Sequence, residues 1–423
     1  MVLRVGLSRF LVLPRKLHFS APRKCSALFV SALRAKETTA ILLPSLNFEE
    51  KLKNIEELKS MLAIRGRTDI DVEKLKESWE FLENVKATKL NLEQKRQAKS
   101  KELHELLKDQ TKNEKEIKPL TAMVKMLKEN FKSMSKEIAA LEENVVLKYL
   151  HLPNKIHPKT PLDKSKIAFN CESWPLNKLH PALENFQDAG KGDVTEARTH
   201  LELFLTSLCY KNFEKDYVKT SNCDFVKSVV AEGCCLKHRD PKSLLILQSE
   251  ENNSPDSNLH LVGGASRAAF CALFTKSQIS VKDLPLKMIT VGRQYFPEPE
   301  TASPNQTTAA ELFALVENSR EKEYDVYLDI LEDVKKLYNS LLVGYRFVSL
   351  SGSELKSWES LSTAIEIYSE RRKEFVRVGF VSLCGSFISE RLLMKYKQDK
   401  TSDFPNIITG TVMDFEKVES CFL

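Results

Sequence analysis

From Asp71 to Leu150 the chain has no glycine and a single proline, Pro119, and its apolar residues recur at helical spacing. In the second half of this stretch Ile117, Leu120, Val124, Leu127, Phe131, Met134, Ile138, Leu141 and Val145 alternate steps of three and four, which is a heptad seam. The first half is less regular and carries Val72, Leu75, Trp79, Leu82, Leu92, Leu103 and Leu106. Joined by the polar "DQTKNEKEIKP", the two halves predict an antiparallel coiled-coil hairpin. A turn at 109–118 puts Pro119 near a helix start, where its missing N–H does little harm. Before the hairpin, "NFEEKLKNIEELKSMLAIRG" predicts a short helix stopped by Gly66; after it, Pro153, Pro158 and Pro161 mark an extended linker. Farther on, "LPLKMITVG", "GYRFVSLS" and "EFVRVGFVSL" alternate as strands do, around the helical "EKEYDVYLDILEDVKKLYNSLL". On pattern alone the chain is α+β, and 423 residues are too many for one simple core.

Charge changes this picture in two places. Residues 1–36 hold eight Lys or Arg and no acid, interspersed with Leu, Val and Phe. That is the composition of a mitochondrial transit peptide, and it predicts import into the matrix with loss of roughly the first 35 residues. Those eight cations exceed the formal net charge of +6, so the remainder is slightly acidic. A nucleic-acid footprint must then be a local patch. The arm supplies one: between Lys86 and Lys136 there are fourteen Lys or Arg against seven Asp or Glu. With Ile117 at heptad position a, Lys118, Lys125 and Lys132 fall on b and Lys128 on e, one stripe beside the seam. Lys95, Arg96, Lys99 and Lys101 cluster on the first helix. Such a row can contact successive phosphates; a merely solvated coiled-coil face has the same appearance. The aromatic among these lysines, Phe131, belongs to the seam, so backbone and shape would be read, without base stacking.

Composition also excludes. No apolar run reaches the length of a membrane span. The nine cysteines include no Cys-x-x-Cys pair, which argues against a disulfide framework or a structural zinc site. All eight histidines lie at or before His260, so the last third of the chain has no Cys–His or Ser–His centre of its own.

A short helix, a coiled-coil hairpin, "LPNKIHP" and an α+β region, with "DFVKSVVAEGCC" at 224–235, resemble a class II seryl-tRNA synthetase over essentially the whole chain after the leader. Within that family the resemblance is to its catalytically inactive insect mitochondrial branch. It implies an N-terminal coiled-coil hairpin followed by an antiparallel β-sheet domain with flanking helices. The implied division is a transit peptide at 1–36, a tRNA-binding arm and linker at 41–160, and a degenerate synthetase domain at 165–423.

The departures lie where the family does its chemistry. In "LHLVGGASRAAF", Gly264 stands where the family has Thr and Ser266 where it has the Glu that holds the substrate amine. Aligned on Tyr295 and Glu298, "QYFPE" puts Phe296 at the arginine that clamps the α-phosphate. Arg293 is three residues earlier, an odd offset, and should face the other side of its strand. In "AELFALVE", aligned through Phe313 and Glu317, Ala309 and Leu315 replace basic residues, and Glu317 remains as a structural acid. "FVSLCGSFISERLL" keeps Phe387 and Arg391 but has Leu383, Ser386 and Glu390 for Asn, Asp and Arg, and Arg377 sits where an acid belongs. "NIITGTVMDFEK" keeps Gly410, while Val412 and Glu416 replace glycines and Lys417 replaces an arginine. A site stripped of such cations cannot stabilise charge developing at phosphorus. The resemblance therefore implies an inactive paralogue that binds tRNA, in particular tRNA-Ser, and uses no cofactor or metal. The alternatives are a coiled-coil protein scaffold without an RNA role and a divergent active ligase. The family also implies a dimer through "RTHLELFLTSLCYKNFEKDYVKTSNCDFV", whose Leu201, Leu203, Phe204 and Leu208 offer an apolar face. "KTSNC" alters the strand, which favours a heterodimer with the active mitochondrial seryl-tRNA synthetase over self-pairing.

Overall fold

The computed structural model describes residues 26–29, 42–108, 114–171, 179–189, 194–247, 258–298 and 304–422. The chain enters through helices α1 (Phe48–Leu52) and α2 (Ile55–Ile64), each capped by an asparagine, Asn47 and Asn54, whose side chain accepts an N–H of the first turn. Two 37-residue helices follow, α3 (Val72–Lys108) and α4 (Glu114–Leu150), packed antiparallel as the heptad pattern predicts. The turn between them lies outside the described residues. Pro119 does not open the second helix: α4 begins at Glu114, so the ring sits inside it and the Lys115 carbonyl loses its usual partner. Near the arm's base the packing is aromatic, with Phe48 stacked on Trp79 (6.1 Å) and tilted against Tyr149 (4.3 Å).

Two side chains pin this arm to the rest. Arg65, just after α2, donates to the carbonyls of Asn154, Glu359 and Lys356. Asn154 of the "LPN" linker donates to Trp358 O (3.0 Å) and Cys384 O (2.6 Å). Both are buried.

The second part is built on an eight-stranded sheet. Its strands are β1 (Lys166–Asn170), β2 (Val218–Lys219), β3 (Leu286–Pro297), β4 (Pro304–Val316), β5 (Tyr345–Ser349), β6 (Leu361–Ser369), β7 (Glu374–Gly385) and β8 (Asn406–Asp414), in spatial order β1-β5-β6-β7-β8-β4-β3-β2. Only the short β2 pairs parallel. One face is covered by α5 (Pro181–Ala189), α6 (Val194–Asn212), the 21-residue α9 (Arg320–Ser340) and α11 (Phe415–Phe422). Over the other face pack α7 (Ser228–Gly233), α8 (Arg267–Phe274) and α10 (Phe387–Leu392), with Phe270, Met288, Phe313, Leu315 and Cys384 in the core between. β6 is buried nearly end to end, so it shows no alternation to be read. No described helix is long and apolar enough to cross a membrane.

Candidate functional site

The family's reaction centre would lie on the α8 side of the sheet, across β3, β4 and β8. Strand parity decides what faces it. Gln294 points there, donating to Ala265 O and to the Glu311 carboxylate (3.3 Å). Arg293 points the other way, donating to Thr308 and pairing with Glu202 of α6 (3.2 Å). The odd offset from Phe296 therefore reads correctly, and Arg293 does not line the cleft.

At the middle of that face sits Glu311, a residue not singled out in the sequence. It is 2% exposed and accepts from Thr411 Oγ1 (2.7 Å), Thr409 Oγ1 (3.3 Å) and Gln294. Burial pushes its carboxyl up to about 7, against the hydrogen bonds from the threonines. Beside it, Phe313 stacks on Phe270 at 5.2 Å with the rings 4° from parallel, and Leu315 and Ala309 are fully buried. Phe296 stands half-exposed at the outer end of β3. Arg267 is the main cation close to this face, and its guanidinium lies 3.5 Å over Trp358 while donating to Cys234 O (2.9 Å).

The loop before α8 has been rebuilt. Ser266, at the position of the amine-binding acid, is the N-cap of α8: it accepts from Ala269 N and donates to Gly263 O (2.7 Å). A Cβ on Gly264 would lie 2.7 Å from the Asn222 carbonyl, so a threonine fits there only if backbone moves. The Gly264 N–H instead binds Asp224 (2.7 Å).

The residues of "FVSLCGSFISERLL" are equally committed. Arg391 is 3% exposed, lies 3.6 Å over the Phe387 ring and donates to Leu150 O at the end of α4 (3.1 Å). A cation there satisfies a helix C-terminus. Leu383 is buried in the helix-side core with Val412. Glu390 accepts from Ser386, and burial raises its carboxyl. Arg377 reaches Glu366, Lys417 pairs with Asp414 and Glu317 with Lys322. Between α1, the linker and α10 remains a cavity of about 390 Å³ bordered by Lys51, Tyr149, Asn154, Glu323, Glu390 and Arg391. Burial and the Arg391 charge push Lys51 down to about 7.

On the arm the sequence-predicted residues divide. Lys95, Lys101, Lys118, Lys125, Lys128 and Lys132 are all exposed. Arg96 is not presented outward: its guanidinium lies over the Phe131 ring (5.3 Å), across the seam, and approaches Glu93. Lys99 pairs with Glu102 (2.7 Å). Because Arg96 meets Phe131 while Lys86 meets Glu142 nearer the base, the 95–101 cluster lies alongside the 125–132 lysines on the outer rod. The expected dimer helix turns part of its apolar face into its own domain. Leu201 is buried and Phe204 and Leu208 pack into the helix-side core, leaving Leu203, 64% exposed, as the outward residue of the four.

Residues 251–423 match the model of the tRNA synthetase class II core domain (G, H, P, S and T). The serine–tRNA synthetase-like protein Slimp of Drosophila melanogaster is 24% identical over 409 residues, 92% of this chain and 87% of that one. The mitochondrial serine–tRNA ligase of Schizosaccharomyces pombe is 23% identical over 68% of this chain and 65% of its own. In sequence the chain resembles the seryl-tRNA synthetases over most of its length. Its fold agrees: seryl-tRNA synthetase from Pyrococcus horikoshii superposes with a TM-score of 0.71 at 18% identity, covering 89% of this chain and 93% of that one. Glu311 and Arg267 lie inside "AELFALVE" and "LHLVGGASRAAF", and no spacing in those stretches marks either as facing this side of the sheet.

Proposed function

We propose that this protein is a mitochondrial seryl-tRNA synthetase paralogue that does not aminoacylate and holds tRNA-Ser along its coiled-coil arm. What supports the reading above all is the fate of the cleft positions. Ser266 caps a helix, Arg391 serves a helix end, Leu315 and Ala309 are core, and Glu311 puts a carboxyl where triphosphate charge would have to approach. Meanwhile Lys95, Lys101, Lys125, Lys128 and Lys132 take part in no ion pair among the described residues. Phosphate-contacting charge without reacting groups binds RNA and leaves it unchanged. The acid-free leader and the mitochondrial relatives support a matrix location. Crosslinking RNA to the protein in isolated mitochondria and sequencing what is recovered tests this. Enrichment of tRNA-Ser is expected, and recovery of the protein without RNA would leave a protein scaffold instead.

A dimer belongs to the same reading, and the expected segment reaches it through its last strand, which holds Phe225. The small sheet formed by 225–227, 259–261 and 245–247 turns Phe225, Leu259 and Leu247 outward, each more than 40% exposed. A self-paired patch repeats any altered residue, whereas the active mitochondrial seryl-tRNA synthetase would bring an unaltered one. The heterodimer is the form we propose.

A further inference from the structure

A half-buried acid on α7 has an occupant that nothing above explains. Glu232, on α7, faces inward, and its carboxylate accepts from Ser26 Oγ (2.8 Å), Ala27 N (2.6 Å) and Leu28 N (2.8 Å). The Ser26 hydroxyl also accepts from the N–H of Leu28 (3.1 Å) and of Phe29 (2.8 Å), closing the segment into a compact turn. Ser26 and Leu28 are 0% exposed, and Leu28 belongs to the core formed with Val226, Val230, Leu244 and Trp358. Leu42 joins the same core, so the incoming chain touches it twice. Burial raises the Glu232 carboxyl, and the hydrogen bonds from Leu28, Ser26 and Ala27 oppose that rise. Yet Ser26–Phe29 lies inside the acid-free stretch at 1–36.

A half-buried carboxylate that loses its three donors loses charge-assisted hydrogen bonds, and a core that loses Leu28 is left with a void. A segment so held is a poor candidate for removal. We infer that Glu232 is a docking site for the peptide Ser26–Phe29, which the working protein retains, so that processing of the leader takes place upstream of Ser26. A cut there still removes Arg4, Arg9, Arg15, Lys16, Arg23 and Lys24, the greater part of the import charge. This rests on the import reading for the cut, but not for the docking.

Two measurements separate the two. Mass spectrometry of the N-terminus of the protein from mitochondria should find a first residue beyond Val2 and no later than Ser26; a chain beginning after Phe29 overturns the inference. An intact Met1 would defeat import cleavage while retaining the docked segment. The second measurement compares purified chains starting at residue 26 and at residue 30, each with and without Glu232→Ala. In the longer chain the substitution should speed limited proteolysis of the α7 region about tenfold, the scale of a lost charge-assisted hydrogen bond. In the shorter chain it should change nothing or slow cleavage, since no donors remain to be lost. An equal acceleration in both chains would show that Glu232 acts without the peptide and would overturn the docking. Should the shorter chain not fold, the same coupling is read with Leu28→Ala in the longer one.

Discussion

Arg391 illustrates why residue identity does not fix residue role. It occupies a position retained from the family's pattern, but its charge is spent on the Leu150 carbonyl and the Phe387 ring. Replacing it by Met keeps the volume and removes the donor. We expect a loss of about 1.5–3 kcal/mol in urea unfolding, the range for a hydrogen bond to a charged group. Glu311 and Glu323 make a second prediction. Burial pushes each carboxyl from its ordinary 4.5 up to about 7. In that window the folded chain holds protons that the unfolded chain has released, so stability falls as pH rises from about 5 to about 7. Glu311→Gln, with its amide oxygen toward Thr411, should flatten that fall. Unfolding midpoints at several pH values check it, and an unaltered pH slope would mean that Glu311 ionises as freely in the fold as outside it.

Among the elements, those with a period were legible. The heptad seam gave both long helices, and alternation gave β3, β5 and β7. β6 was not legible, because a strand buried on both faces carries no alternation. The start of α4 lies five residues before Pro119, because packing of the seam outweighs the hydrogen bond that the proline removes. The rebuilt loop before α8 was legible as a loss, the missing Thr and Glu, but its gain, a helix cap, depends on a loop geometry that spacing does not encode. At this scale the arm lysines are testable. Lys118, Lys125, Lys128 and Lys132 changed together to Ala should weaken tRNA binding and reduce its salt dependence by roughly one unit of slope per lost contact. Filter binding over a salt series measures this, and an unchanged slope would place any bound RNA elsewhere. The arm's attachment is equally exposed to test. Asn154→Ala removes two buried hydrogen bonds to Trp358 and Cys384 and should destabilise the chain by about 1–3 kcal/mol, read in thermal unfolding.

For the whole molecule, the proposed function sets an arm that would hold tRNA beside a sheet whose α8 side is packed core. A twofold partner with an intact cleft would make that arrangement useful. Co-expressing differently tagged copies of this chain and the active mitochondrial seryl-tRNA synthetase, and weighing the purified complex, should yield one copy of each; a complex of this chain alone would end the heterodimer. The central claim, an arm retained without chemistry, is tested most directly by serine-dependent ATP–pyrophosphate exchange on the purified protein in the presence of tRNA-Ser. The account predicts exchange no faster than in buffer, and exchange at a rate comparable with an active mitochondrial seryl-tRNA synthetase would contradict it.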